Sequence, residues 1–374
     1  MAIQDSIVSL GIIAATVPFV LFSLFARRLR LKQELPFRED LRRSMVRGLG
    51  ALPLPVLRRR LEPPPMETII NSNRFRASKE HLGLRVNHGL CTGYWICRGP
   101  PGLPKQPRES DIVLLWFHGG AYCFSGPSAP ALSLLRVAEI AASRGLSMSI
   151  FSAGYTLAPE ATFPHQQREA VAAYRYLLEV EEVHENKIII AGDSAGGHLS
   201  LACLIALADG SLPKPARALL LYPWTNMENR KLSFKPNRDK DILSKGLLDR
   251  CVRATMGGRA RVEELEFGNL TKPWTISDQK SWKHILPSTW VSVGAHDLFL
   301  HDIRMFVEQA QADGAQVKLD VTPGRAHSWN FFLDRPSESA YCNLDPNDAV
   351  LVGMMDGSNN LAEGLFTLLG IPQA

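Results

Sequence analysis

Cysteine is scarce in this chain of 374 residues, and its six positions follow no regular spacing. That irregularity excludes a zinc site built from paired cysteines, and no disulfide framework is expected. One bridge stays open, between Cys91 and Cys97 inside a hairpin. The chain is too long for a small disulfide-stapled scaffold and long enough for one large domain with a substantial core.

Charge is absent from residues 7–26, IVSLGIIAATVPFVLFSLFA. A helix of this length reaches across the roughly 30 Å of hydrocarbon in a bilayer. Pro18 is tolerated better in a membrane helix than in a soluble one. No basic residue precedes the segment and no small-residue cleavage site is evident, which disfavours a cleaved signal peptide. We therefore predict a single transmembrane anchor over residues 7–26.

Basic residues dominate the stretch that follows the anchor. Residues 27–60 hold 11 Lys and Arg against 3 Asp and Glu, so the net charge of +5 becomes −3 without them. This excess suits membrane lipids with anionic head groups as partners, and nothing in the sequence suggests nucleic acid. By the positive-inside rule, the arginines after the anchor place the body of the protein in the cytosol.

The rest of the chain divides into two parts. Residues 27–83 are basic and rich in proline, with a linker-like stretch at 51–65, and are predicted to form a juxtamembrane segment and part of a cap. Residues 84–374 alternate apolar strands with amphipathic helices, which predicts an α/β fold with a mostly parallel sheet flanked by helices. A charged, weakly periodic stretch at about 225–285 is predicted to be a cap-like insertion, or lid.

The stretch KIIIAGDSAGGHLSLACLIALA, residues 187–208, places a serine between an apolar strand and a helix. A sharp turn there crowds its neighbours, so small residues are needed two positions before and two after the serine. This requirement is met by Gly192, Asp193, Ser194, Ala195 and Gly196. Active sites lie at the carboxyl ends of strands in such sheets, so the serine is the predicted nucleophile and the aspartate before it supports the turn.

A second glycine-rich stretch, WFHGGAY at 116–122, lies one strand–helix–strand unit upstream. A serine nucleophile produces a negatively charged tetrahedral intermediate, which fixed backbone N–H groups stabilise. Glycine lets the backbone approach this oxyanion closely. We predict that the N–H groups of Gly119, Gly120 and Ala195 form the oxyanion hole. His118 and Ala121 are the supporting residues of this motif.

These two motifs resemble the hormone-sensitive-lipase-like branch of the α/β-hydrolases, whose members carry H-G-G-G and G-D-S-A-G-G. The stretch at 155–177, YTLAPEATFPHQQREAVAAYRYL, is also similar to that branch, and the resemblance covers roughly residues 84–334. Ala121 replaces the usual third glycine, which narrows the expected acyl pocket, and Thr156 replaces a usual arginine. The resemblance implies an α/β-hydrolase fold and ester hydrolysis without a metal or other cofactor.

The other two members of a catalytic triad are expected in the order acid, then histidine, which this fold uses. His327 follows the strand QVKLDVTPG in a loop where the family places its catalytic histidine. Asp297 lies 30 residues earlier, directly after the strand WVSVGAH. Because the chain has DLFLHD where the family has D-P-L-x-D, Asp302 stays an alternative, and Asp297 is favoured at the strand end.

The predicted reaction is acyl transfer through an acyl-enzyme. Ser194 attacks an ester carbonyl, His327 takes the proton, and Asp297 stabilises the imidazolium. An anchor followed by this domain is similar to arylacetamide deacetylases and steryl acetyl hydrolases. That resemblance implies a small-molecule partner, an acetyl-type ester of a lipophilic alcohol such as a sterol or terpenoid.

The same resemblance implies an endoplasmic-reticulum enzyme that faces the lumen, whereas the positive-inside rule indicates the cytosol. A glycan on the single sequon, Asn269-Leu270-Thr271, would require a luminal body. Two other functions stay open, namely a non-hydrolytic enzyme such as an acyltransferase or dehydratase, and a small-molecule receptor. The sequence does not predict acyl length, oligomeric state or pathway, and for residues 336–374 it predicts only a closing helix.

Overall fold

An eight-stranded sheet forms the centre of the protein in a computed structural model that describes residues 18, 20–29, 35–258, 262, 266–271 and 281–372. Its strands are β1 (Leu82–His88), β2 (Cys91–Cys97), β3 (Ile112–Phe117), β4 (Met148–Gly154), β5 (Ile188–Asp193), β6 (Arg217–Leu221), β7 (Ser288–Gly294) and β8 (Val317–Thr322). Their order is β1-β2-β4-β3-β5-β6-β7-β8; β2 is antiparallel to both neighbours, and the strands from β3 to β8 are parallel. The predicted α/β class and mostly parallel sheet are confirmed.

The central strands are apolar along their whole length. Every residue of β3, IVLLWF, is buried, and so is every residue of β5, IIIAGD. Parallel strands covered on both faces carry apolar residues continuously rather than in alternation. Because β5, β7 and β8 run in the same direction, the turns that follow them meet at one edge of the sheet.

Helices pack against this sheet. Those with described bounds are α1 (Phe37–Leu49), α2 (Leu54–Arg60), α3 (Met66–Ile70), α4 (Ala131–Ser143), α5 (His165–Glu179), α6 (Ala195–Asp209), α7 (Lys245–Met256), α8 (Trp282–Ile285), α9 (Leu300–Ala312), α10 (Trp329–Asp334), α11 (Glu338–Asn343) and α12 (Asp356–Leu369). The uncharged first three turns of α6 are buried between β5 and α5. The predicted closing helix is confirmed as α12, which packs against α4, α10 and β7.

The predicted anchor, residues 7–26, lies largely outside the described residues. Its described end belongs to a helix over residues 20–29. Among the residues that the structure describes, no helix has both the length and the apolar composition that a bilayer crossing needs. The anchor stays a prediction.

One interpretation of local sequence was wrong, and one alternative that the sequence left open is now decided. The linker-like stretch 51–65 contains α2, which starts after Pro53 and has a second proline in its first turn, where a missing N–H breaks no helical hydrogen bond. Leu57 of that helix is buried in the core. All six cysteines are free, and Cys91 and Cys97 cannot pair because they lie at opposite ends of β2.

The predicted insertion at about 225–285 is described in part. Residues 259–261, 263–265 and 272–280 lie outside the described part of the chain, Trp274 among them. The described part contains α7, whose Leu248 and Val252 face the core. Trp224 and Trp282, at the two edges of the insertion, are fully buried. The insertion is therefore fixed to the core at both of its edges.

Candidate active site

Ser194 lies on the sharp turn between β5 and α6. Its φ of 54° and ψ of −115° are strained for a residue with a side chain, as a nucleophile at a strand tip requires. A Cβ on Gly192 would lie 2.5 Å from the carbonyl carbon of Gly196, and one on Gly196 would lie 2.0 Å from the Phe117 oxygen. The turn therefore needs glycine at both positions, as the spacing indicates.

Ser194, His327 and Asp297 form one hydrogen-bonded chain of buried side chains. Ser194 Oγ lies 2.8 Å from His327 Nε2, and His327 Nδ1 lies 2.9 Å from Asp297 Oδ2. The second oxygen of Asp297 accepts the N–H of Phe299 at 2.8 Å, which fixes the carboxylate. An imidazole that donates from Nδ1 to a carboxylate has Nε2 available to accept the serine proton.

The surroundings of His327 favour its protonated form. Burial acts to lower the pKa of this imidazole. The carboxylates of Asp297, Asp241 and Asp193 outweigh that effect, so the pKa is raised above its ordinary value. Phe299 packs edge-on against the imidazole, with the ring centroids 5.0 Å apart. An imidazolium at this position is therefore stabilised by the acids around it.

Asp241 is a buried carboxylate beside the triad that the sequence analysis missed. Its Oδ1 accepts the backbone N–H of His327 at 3.0 Å, and its Oδ2 accepts that of Leu298 at 2.6 Å. A third backbone N–H comes from the residue that follows it. Burial, reinforced by the charge of Asp297, raises the pKa of Asp241 to about 7. The residue lies in the weakly periodic insertion, where no motif marks it.

The alternative acid, Asp302, lies apart from the histidine. Its Oδ1 accepts a hydrogen bond from the side chain of Asn226 at 2.8 Å, and burial raises its pKa to about 7. Its second oxygen has no partner among the described residues. Of the two carboxylates that the sequence leaves open, only Asp297 contacts His327 within the described chain.

Gly119 serves the turn at the nucleophile rather than an oxyanion. Its N–H donates to Asp193 Oδ1 at 2.9 Å, and a Cβ at Gly119 would lie 2.2 Å from Asp193 Oδ2. The prediction of Gly119 as an oxyanion donor is therefore wrong, because a carboxylate already accepts that N–H. Burial raises the pKa of Asp193 to about 6. The Asp193 side chain joins the two glycine-rich turns.

Three other N–H groups are available beside Ser194. Those of Gly120, Ala121 and Ala195 have no acceptor in the part of the chain that the structure describes. The φ angles of Gly120 and Ala121 are 110° and 51°, and turns of this kind present successive N–H groups to an anion. The ring of His118 stacks on that of Tyr155, and the Tyr155 hydroxyl donates to the His118 carbonyl at 2.8 Å. These contacts fix the loop.

Thr156 stands where the family usually has an arginine. Its N–H and its hydroxyl donate to the two oxygens of the Glu169 carboxylate, at 2.8 and 2.6 Å. The shorter side chain of Thr156 therefore still provides hydrogen-bond donors. The Glu169 carboxylate, in the stretch between the two motifs, has both of its oxygens hydrogen-bonded.

Helix α1 lies beside the loop that carries His327. Arg43 of α1 is buried and donates to the carbonyl groups of Gly324 and Lys240, at 2.7 Å in each case. A cavity of about 20 Å³ lies between α1 and the loop of His327, with Arg43, His327 and Trp329 in its lining, and Ser194 does not line it. This cavity is about the size of one water molecule.

Known proteins share this arrangement of strands and turns. A family model described as alpha/beta hydrolase fold matches residues 114–331, more than half of the chain. The chain belongs to this family. The sequence motifs and the observed strand order agree with that assignment.

Curated relatives are named as ester hydrolases. An acetyl-hydrolase of Streptomyces hygroscopicus is 28% identical over 251 residues, which are 66% of this chain and 75% of that protein. A putative acetyl-hydrolase of Mycobacterium tuberculosis (strain ATCC 25618 / H37Rv) is 38% identical over 192 residues, 50% of this chain and 58% of that one. The hormone-sensitive lipase of Mus musculus is 29% identical over 164 residues, 42% of this chain and 21% of the lipase. The resemblance to the hormone-sensitive-lipase-like branch is confirmed, as is the expected class, carboxylic ester hydrolase.

Solved structures show the same fold. A crystal structure of an esterase/lipase from an uncultured bacterium superposes with a TM-score of 0.66 at 23% identity, covering 90% of this chain and 99% of that chain. An esterase from the bacterial hormone-sensitive lipase family gives a TM-score of 0.61 at 24% identity, covering 96% of this chain and 99% of that chain.

Proposed function

We propose that this protein hydrolyses short-chain carboxylic esters of lipophilic alcohols through an acyl-enzyme on Ser194. The hydrogen-bonded chain from Ser194 through His327 to Asp297 carries the proposal. As Ser194 Oγ bonds to the carbonyl carbon, its proton passes to His327 Nε2, and the carbonyl π electrons move to the oxygen. Asp297 stabilises the imidazolium that results.

The oxyanion of this intermediate is stabilised by the free N–H groups of Gly120, Ala121 and Ala195. Backbone donors are fixed before the reaction, so they stabilise developing charge without reorganising. When the intermediate collapses, the alcohol leaves with the proton of His327. Water then attacks the acyl group, gives a proton to His327 and releases the acid, after which Ser194 Oγ recovers the proton.

A short acyl group is supported by Ala121 in the glycine-rich loop that faces Ser194. Helix α1 packs beside the loop that carries His327, because Arg43 donates to the carbonyl group of Gly324. Ala121 adds a methyl group where a third glycine would leave more room. We propose that α1 and the insertion at 225–285 act as a cap over the site, and that a sterol or terpenoid serves as the alcohol.

Hydrolysis of p-nitrophenyl acetate and its longer acyl homologues tests this proposal, with Ser194→Ala measured beside the wild type. Turnover should fall as the acyl chain lengthens and should be abolished by the substitution. Equal turnover of acetate and long-chain esters would contradict the small acyl site. Activity unchanged in Ser194→Ala would contradict the assignment of the nucleophile.

The alternative functions on this fold give different outcomes in the same assay. An acyltransferase would accumulate the acyl-enzyme and transfer the acyl group to an added alcohol, and a dehydratase would leave every ester intact. A receptor would bind a ligand without turnover. The contact between His327 and Ser194 favours hydrolysis over the receptor, because a binding protein does not need a base at the serine.

We also propose that residues 7–26 anchor the protein in the endoplasmic-reticulum membrane, with the basic residues 27–60 beside anionic lipids. The glycosylation sequon at Asn269 does not distinguish a luminal from a cytosolic body. Asn269 is buried, and its side-chain N–H donates to Glu228 at 3.0 Å. A glycan would have to displace that contact, so an unmodified Asn269 is expected on either side of the membrane.

A sequon on the surface gives a clearer test of orientation. Asp209→Asn creates one at the exposed end of α6, because Gly210 and Ser211 follow it. A glycan that shifts the protein on a gel, and is removed by a glycosidase, would place the body in the lumen. The absence of a shift, with protease sensitivity in intact microsomes, would place it in the cytosol.

A further inference from the structure

A pocket of about 530 Å³ lies between α1, α7 and the helical residues 20–29. It opens to the surface, and none of the three triad residues lines it. The proposed ester hydrolysis therefore does not use it. Its lining combines arginines with apolar residues. Both kinds of side chain come from the three helices, and the turn after α1 contributes further small residues.

The arginines of this pocket outnumber its acids. Its lining contains Arg27, Arg47, Arg250 and Arg253 but only one carboxylate, that of Asp239. The side chains of the lining therefore carry a net charge of +3, although Arg27 also forms an ion pair with the buried carboxylate of Asp40 outside the lining. Such an excess inside a concave surface attracts anions, since the walls exclude part of the water that would screen it.

Backbone groups, rather than acids, hold two of these arginines in place. Arg250 donates to the carbonyl groups of Gly50 and Leu52, and Arg47 donates to that of Asp241. Among the described residues, no carboxylate forms an ion pair with either guanidinium. Burial lowers the pKa of Arg47, and the nearby charge of Arg27 adds to that effect, while the carboxylates of Asp239, Asp241 and Asp40 offset only part of it. An oxyanion in the pocket would form a direct ion pair with these two guanidinium groups.

The apolar side of the pocket comes from the helix before α1. Val20 and Leu24 line the pocket and face inward. Phe22, Phe25 and Leu29 lie on the opposite face of that helix and are 73%, 52% and 87% exposed. A helix with an exposed apolar face next to basic residues suits the interface of a membrane, where head groups and alkyl chains meet.

We propose that the arginine pocket binds the phosphate head of an anionic amphiphile, with its alkyl chain against Val20 and Leu24. Guanidinium groups match phosphate oxygens in geometry and in charge. A membrane phospholipid and free phosphate share this chemistry. The apolar lining favours the lipid, because free phosphate gains nothing from it.

Binding of n-octyl phosphate and of orthophosphate to the full chain, in a phosphorus-free detergent, tests the proposal by ³¹P NMR. Octyl phosphate has no carboxylic ester for Ser194 to cleave, so binding and catalysis are separate. Arg253→Gln and Arg250→Gln each remove one pocket cation. Arg304→Gln, an exposed arginine of α9 outside the pocket, is the matched control. Arg47 is left intact because it also holds Asp241 beside His327.

Saturable line broadening of octyl phosphate is expected in the wild type and in Arg304→Gln. Binding should be about ten-fold weaker or more in Arg253→Gln and Arg250→Gln, since each loses a charge-assisted contact. Orthophosphate that binds as tightly as octyl phosphate would overturn the assignment to an amphiphile. Broadening that is equal in all four proteins would overturn the site, whatever the outcome for ester hydrolysis, because it would show partition into the detergent alone.

Discussion

Asp241→Asn should slow ester hydrolysis without weakening substrate binding. The carboxylate accepts three backbone N–H groups, one of them from His327 and one from Leu298, the neighbour of Asp297. A carboxamide keeps one acceptor oxygen, so its NH2 group must face one of these donors. Either the loop of His327 or the loop of Asp297 then loses its hydrogen bond to residue 241. The imidazole of His327 is no longer fixed in position, so the proton transfer from Ser194 becomes slower.

The size of this effect follows from the lost contact. A hydrogen bond to a charged group contributes about 1.5–3 kcal/mol, which corresponds to a fall in kcat of roughly 10-fold to 150-fold if it is realised in the transition state. KM should stay nearly constant, because Asp241 is fully buried behind the triad loops.

The pH profile distinguishes this role from a merely structural one. Asp241 is one of the carboxylates that raise the pKa of His327. Without its charge, the pKa of His327 falls, so the neutral base persists to lower pH and the acid limb of kcat/KM moves to lower pH. Steady-state kinetics with p-nitrophenyl acetate between pH 5 and 9 measure both effects. Asp239→Asn, the same change at a nearby half-buried carboxylate that does not contact the triad, is the control. A kcat of Asp241→Asn within two-fold of wild type, with an unmoved acid limb, would refute the reasoning.

Three further predictions concern the triad acid and the glycine loop. Asp297→Asn should lower kcat by about 10⁴-fold, whereas Asp302→Asn should leave it within roughly ten-fold; the reverse ranking in the same assay would exchange their roles. Gly119→Ala should destabilise the fold by at least about 1 kcal/mol, because its Cβ would meet Asp193 at 2.2 Å; an unchanged melting temperature would contradict this. Ala121→Gly removes a methyl at a φ of 51°, so it should raise the melting temperature and the relative turnover of longer acyl esters, and a lowered melting temperature would oppose it.

Local sequence was sufficient for most of the fold and for the sharp turn that carries Ser194. The strands β3 and β5 are continuous apolar runs, and such runs indicate buried parallel strands wherever they occur. The turn at Ser194 is equally local, because the small residues it requires are its own neighbours. His327 could be found by its position after β8, which the resemblance to a family supplied.

Contacts between distant loops could not be predicted in this way. Asp241 meets His327 across 86 positions of sequence, and Arg43 meets Gly324 across 281. Neither contact produces a periodic pattern or a motif in the sequence. Two loops that meet in space need only one suitable donor and one suitable acceptor. The same applies to Gly119, whose N–H was expected at an oxyanion but is accepted by the Asp193 side chain.

Mapping the residue labelled by a serine-directed fluorophosphonate tests the central claim most directly. The full chain is treated with the reagent, residual esterase activity is measured, and the labelled peptide is identified by mass spectrometry. The account predicts one label, on Ser194, with loss of activity in proportion to labelling, and none in Ser194→Ala. Full activity after complete labelling of Ser194, or inactivation through a label on another residue, would contradict it.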